Sequence, residues 1–190
     1  MKTANAHTPA LESDTKFFQY MRQRKWAQDQ NTDRKMYLFR VAKKSADSQD
    51  IAAKIGGILI YNQVIEQFLA DIIEMSICYI KASVLPVSVD LEIDLDKATF
   101  GKMIEYFRQY AIAEDNQGQI LTYLKQFNVK RNQVAHDLFD VKDLEQLKQE
   151  LSDYANLADE IIFLLDEYDN RVCKKFCEME KSRNLQQYFP

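Results

Sequence analysis

The sequence predicts an all-α protein: an antiparallel up-and-down helical bundle with an N-terminal helical extension. Three observations carry this expectation. Gly and Pro together number only seven in 190 residues, too few for a fold built from turns and strands. Apolar residues make up 46%, including ten Tyr and eleven Phe, which is ample material for one core in a chain of this length. Apolar residues also recur at steps of three and four over long windows, the spacing of a helix with one buried face.

The elements follow in chain order. Ser13 or Asp14 caps a helix running to about residue 28, and Thr32 or Asp33 a second running to about residue 44. Residues 1–48 are read as a basic helical extension and 49–190 as the bundle domain. The polar SADSQD stretch (45–50) is a linker with its own capping residues, leading into a long helix over about 51–81. Its seam is Ile58, Asn62, Ile65, Leu69, Ile72 and Ser76.

From 83 to 96 the pattern changes to SVLPVSVDLEIDLD, where Pro86 ends the helix and apolar and acidic residues alternate. This reads as a strand-like crossover, with Asp94 or Asp96 capping the next helix, 98–110. The acids at 90, 92, 94 and 96 lack the turn glycine and closing glutamate of a calcium loop, so calcium is rejected. EDNQGQ (114–119) is a loop before a helix over about 119–139, with Ile120, Leu124, Phe127, Val134 and Leu138 on one seam. Asp143 caps the last helix, whose stripe is Leu147, Leu151, Tyr154, Ala158, Ile161, Leu165, Tyr168 and Val172. Short connections between such helices imply antiparallel neighbours.

Composition also excludes function classes. The Ile51–Ile80 stretch is strongly apolar, yet Lys54, Asn62, Glu66, Asp71 and Glu74 interrupt it, which argues against a membrane span. Three cysteines form no even framework and no secretory leader opens the chain, so a reducing cytoplasm is expected. Cys173 and Cys177 share a helix face without further ligands beside them, so no metal and no cofactor are expected. Charge is uneven: residues 16–44 carry a net +7, leaving −11 for the rest. Aromatics interleave those bases, so the segment reads either as a phosphate-tracking arm or as solvated faces of two helices whose rings dock on the bundle.

One stretch carries chemistry. Continuing the 120–124–127 seam by four places Arg131 on the core-facing line, before Val134 resumes it. A buried guanidinium requires a partner; Glu66 is the first candidate and Asn62 the second. A pair of that kind can also act simply to fix helix register. His136, the histidine outside the N-terminal tail, lies about 140° round the wheel from Arg131 and shares a face with Asn132. Lys130 adds a cation beside them.

The run Arg131-Asn132-Gln133-Val134-Ala135-His136 resembles the R-x4-H signature of the HEPN superfamily (higher eukaryotes and prokaryotes nucleotide-binding). Asn after the arginine is one of the residues common there, and Asn62 to Glu66 resembles the polar patch that faces the motif. The likeness covers roughly residues 50–175. It implies a HEPN-like bundle and a metal-independent endoribonuclease, of a kind frequently found as toxins or defence proteins. A non-catalytic module of the same fold, binding nucleotide, RNA or protein, is the alternative. On this reading Arg131, His136, Asn132 and Glu66 are catalytic, and Asn62 and Lys130 bind substrate. The chemistry needs both an acid and a base, and one ordered histidine supplies one of them. A homodimer whose interface includes the 131–139 helix is therefore expected to bring a second His136; the alternative is Glu66 as the other group in place of its role as the anchor of Arg131. The expected partners are RNA, a second copy, and an antitoxin or nucleotidyltransferase.

Overall fold

The computed structural model describes residues 33–84, 91, 93–112, 115–137 and 143–182, with the side chains of 135–137 and 180 outside that description. Among the described residues it is all-helical: α1 (33–46), α2 (Ile51–Ser83), α3 (Phe100–Tyr110), α4 (Gln117–Asp137) and α5 (Leu144–Ser182). The expected helix before residue 28, Pro86 and the seam residue Leu138 lie outside the described residues.

Three of the helices, α2, α3 and α5, start where a short polar side chain satisfies their first amides. Asp50 accepts from Ala52 N at 3.0 Å to open α2, and Asp143 accepts from Glu145 N at 2.9 Å to open α5, as expected. At α3 the expectation fails. The cap is Thr99, accepting from Lys102 N at 3.3 Å, while Asp94 closes a turn onto Lys97 N and pairs with its ammonium. The described part of the preceding segment contains no strand, and its Leu91, Ile93 and Leu95 rest partly buried against the core.

The seams read from the sequence are buried, except that Val134 of α4 is only partly so. All six α2 seam residues and all eight of the α5 stripe are inside, and so are Ile120, Leu124 and Phe127 of α4. α2 and α5 share the most extensive interface.

Side-chain pairs fix the direction of each helix. Lys54 meets Ser152 and Tyr61 meets Asp159, so α2 and α5 run the same way. Phe127 stacks on Tyr154 while Asn116 meets Arg171, so α4 runs opposite to α5. Lys54 donates to Ala46 O and Lys35 to Asp71, so α1 runs opposite to α2. Each short connection therefore reverses the chain, whereas the longer one, residues 84–99, carries α3 back alongside α2 in the same direction.

α1 contributes Ala42 and Ala46 to the same core as the other helices. Its close approach to α2 depends on Gly57, where an added Cβ would lie 2.7 Å from Ala42 O and 2.8 Å from Ala46 N. The basic segment is corrected at Lys35, which is neither a solvated nor a phosphate-facing residue. It is buried, with its ammonium 2.8 Å from Asp71, 3.4 Å from Asp169 and over the Phe68 ring. Burial raises the Asp169 carboxyl, and the Lys35 charge opposes that shift. Lys43 pairs with Asp159 at 2.8 Å, and Phe39 meets Tyr61 edge-on, so one expected docking aromatic does dock. Tyr37, by contrast, stays exposed.

Candidate functional site

Arg131 of α4 and Glu66 of α2 meet where four helices converge. Arg131 Nη1 lies 3.2 Å from Glu66 Oε1, so the first-choice partner is the one that the fold supplies. α4 runs opposite to α5, which runs with α2; its C-terminal half therefore descends past the turn of α2 that carries Asn62 and Glu66.

The expectation that Arg131 is buried on the seam is corrected. Its side chain is 35% exposed and that of Glu66 34%, so the pair sits at the rim of the bundle. The reason is length: the Arg131 stem leaves the seam, and the guanidinium comes to rest 5.2 Å from the centre of the Phe100 ring. A cation over an aromatic face is attracted by the ring quadrupole, and Phe100 itself is buried.

Asn62 does a different job from the alternative considered for it. Tyr154 OH donates to Asn62 Oδ1 at 2.6 Å, deep between α2 and α5. The Tyr154 ring stacks on Phe127 at 4.5 Å, and Phe127 contacts Phe100 at 5.7 Å. A closed circuit results, running from Asn62 through Tyr154, Phe127, Phe100 and Arg131 to Glu66, one turn along α2 from where it began. Burial raises the Tyr154 phenol well above its ordinary range, opposed by the Arg131 charge and the Asn62 bond, so it stays a neutral donor. Sequence reasoning placed Tyr154 on a core stripe and missed this role. The available signal was its hydroxyl, which needs a partner once the ring is buried.

The other candidates are distributed around α4. Asn132 is exposed, about 100° round the helix from Arg131, and Lys130 is half-buried about 100° to the other side. Neither belongs to the circuit. The α4 backbone carries His136, whose side chain lies outside the described residues.

Chemically, the arrangement offers a guanidinium with, among the described residues, one ionic contact, several remaining donors and a carboxylate beside it, open to solvent at one edge. Among the described residues no group of three or more His, Cys, Asp or Glu could hold a metal ion, and no helix is long and apolar enough to cross a membrane. Comparison of the chain with protein-family models, curated proteins and solved structures found no match.

Proposed function

We propose that the chain is a metal-independent endoribonuclease of the HEPN type, working as a homodimer in the cytoplasm. The observation that supports this best is Arg131, tethered by Glu66 over Phe100 yet still open to solvent, on the same helix as Asn132 and His136. A purely structural arginine would gain little from that exposure, because an ion pair at a rim contributes little to stability. An arginine that binds phosphate needs both the exposure and the tether.

In the proposed reaction, His136 takes the proton from the ribose 2′-hydroxyl, and O2′ attacks the adjacent phosphorus. The P–O5′ bond breaks, and the leaving oxygen takes a proton from the imidazolium of His136 in a second copy. The products are a 2′,3′-cyclic phosphate and a 5′-hydroxyl. Imidazole suits both roles at neutral pH. Arg131 meets the growing charge on the non-bridging oxygens with its unused donors, and Asn132 adds an amide donor. Lys130, half-buried on the same helix, adds a cation nearby, whereas Asn62, buried and bonded to Tyr154, is withdrawn as a phosphate contact. An antitoxin or nucleotidyltransferase partner would hold such an activity in check.

The test is cleavage of varied RNAs in EDTA by wild type and His136→Ala. Cleavage by wild type alone supports the proposal; equal activity in both, or none in either, defeats it. Salt-sensitive RNA binding without cleavage would instead identify the non-catalytic nucleotide-, RNA- or protein-binding module.

A further inference from the structure

We propose that Glu66 selects ribose over deoxyribose, accepting the 2′-hydroxyl of the nucleotide whose phosphate Arg131 holds. The inference rests on the endoribonuclease reading and assigns Glu66 a specificity role distinct from general acid–base work: the single 2′-hydroxyl hydrogen points to Glu66 in the bound complex and turns to His136 as the 2′-oxygen attacks. It starts from an apparent conflict: a site meant for phosphate places a carboxylate 3.2 Å from its guanidinium, both about a third exposed. A carboxylate there repels an incoming phosphate and competes for the same donors. It tethers the arginine at that cost, and the cost is offset when the ligand brings a hydroxyl donor next to its anionic group.

A ribonucleotide does so. Its 2′-hydroxyl sits on the carbon adjacent to the one bearing the 3′-phosphate, so one nucleotide presents a donor and an anion side by side. Arg131 and Glu66 present the complement: a fork of donors and an acceptor in contact. A deoxyribonucleotide presents the anion alone, leaving Glu66 with repulsion and no hydrogen bond. A site of this kind discriminates through both gain and loss.

The neighbouring side chains leave this role to Glu66. Asn62 Oδ1, one turn away on α2, already accepts from Tyr154 at 2.6 Å, so that acceptor is committed to the core. Among the described residues the ionic contact of Glu66 is the one to Arg131, Oε1 to Nη1, which leaves acceptor capacity on the carboxylate. Its Cα lies mid-helix on α2, where Asn62, Ile65 and Leu69 beside it are buried, so the carboxylate is delivered from a rigid element.

The experiment measures binding of short single-stranded RNA and DNA of matched sequence in EDTA at low salt. It uses His136→Ala and the double variants adding Glu66→Ala or Glu66→Gln, with cleavage by wild type followed in parallel. Glu66 is partly exposed, so these substitutions leave the core intact. His136→Ala is expected to hold RNA roughly 10- to 100-fold tighter than DNA, the range for a hydrogen bond to a charged group. Glu66→Ala brings the two affinities together, chiefly by tightening DNA binding. Glu66→Gln, which keeps an acceptor but no charge, gives an intermediate ratio and shows that the effect is not that of a base. An RNA-to-DNA ratio unchanged by Glu66→Ala, while wild type cleaves RNA, overturns the inference and leaves the endoribonuclease reading standing. Absence of both cleavage and binding overturns the two together.

Discussion

Lys35 offers the sharpest test of the energetics, because its ammonium is buried against two acids from two different helices. Replacing it with Met keeps the stem and removes the charge. Asp169, 6% exposed, then loses the cation 3.4 Å away, and Asp71 loses one 2.8 Å away. Removing one partner of a buried ion pair costs about 3–5 kcal/mol. The lost contact over Phe68, 4.0 Å from the ring centre, adds about 1 kcal/mol. Uptake of a proton by Asp169 returns part of this, so about 3 kcal/mol is expected at neutral pH. For a chain of this size that lowers Tm by roughly 6–12 °C.

The pH dependence has a definite sign. The folded-state pKa of Asp169 is raised above its unfolded value, so its contribution to stability is present at acid pH and lost as pH rises through the raised value. Lys35 pulls that value down, so Lys35→Met raises it further. The deficit of the variant is therefore widest near neutrality and shrinks as pH falls toward the ordinary carboxylate range. Urea unfolding of both proteins across that window reads it directly. A variant within about 0.5 kcal/mol of wild type at neutral pH, the usual scatter for surface changes, refutes the reasoning. So does a deficit that grows on acidification.

Other substitutions probe the remaining contacts. Tyr154→Phe leaves Asn62 Oδ1 buried without the donor it now has, and should cost about 1–3 kcal/mol in chemical denaturation. Gly57→Ala drives a methyl against the backbone of α1, so about 1–3 kcal/mol of destabilisation is expected; a neutral result would mean that α1 yields freely. Arg131→Ala should change stability by less than about 1 kcal/mol, since its ion pair lies at the rim. A larger loss would make the pair a register device. Sedimentation at micromolar concentration should show a dimer, and a strictly monomeric species would remove the shared-site mechanism.

Much of this architecture was legible in the sequence because it depends on local pattern. The α2 and α5 seams follow from periodicity, and Asp143 as a cap follows from its place before an apolar run. The Arg131–Glu66 pair was also readable, since a cation on a seam demands an acid on a facing one. What escaped depends on tertiary placement. Lys35 lies in a basic run and looks like surface; only the packing of α1 against α2 and α5 brings Asp71 and Asp169 to it. Thr99 caps α3 because it is the residue directly before the first turn, while Asp94 holds a separate turn onto Lys97. The direction of α3 was hidden as well, since residues 84–99 can join parallel or antiparallel helices and periodicity does not choose. The rim position of Arg131 follows from Phe100, which a different helix brings beneath the guanidinium.

The central claim is that Arg131 and His136 cut RNA without a metal. It is tested most directly by the chemistry of the new 3′ ends formed in EDTA by wild type, Arg131→Ala and His136→Ala. Wild type is expected to leave 2′,3′-cyclic phosphate and neither variant any, with both variants folded. Ends bearing a free 3′-hydroxyl, or cyclic ends made equally well by either variant, would contradict it.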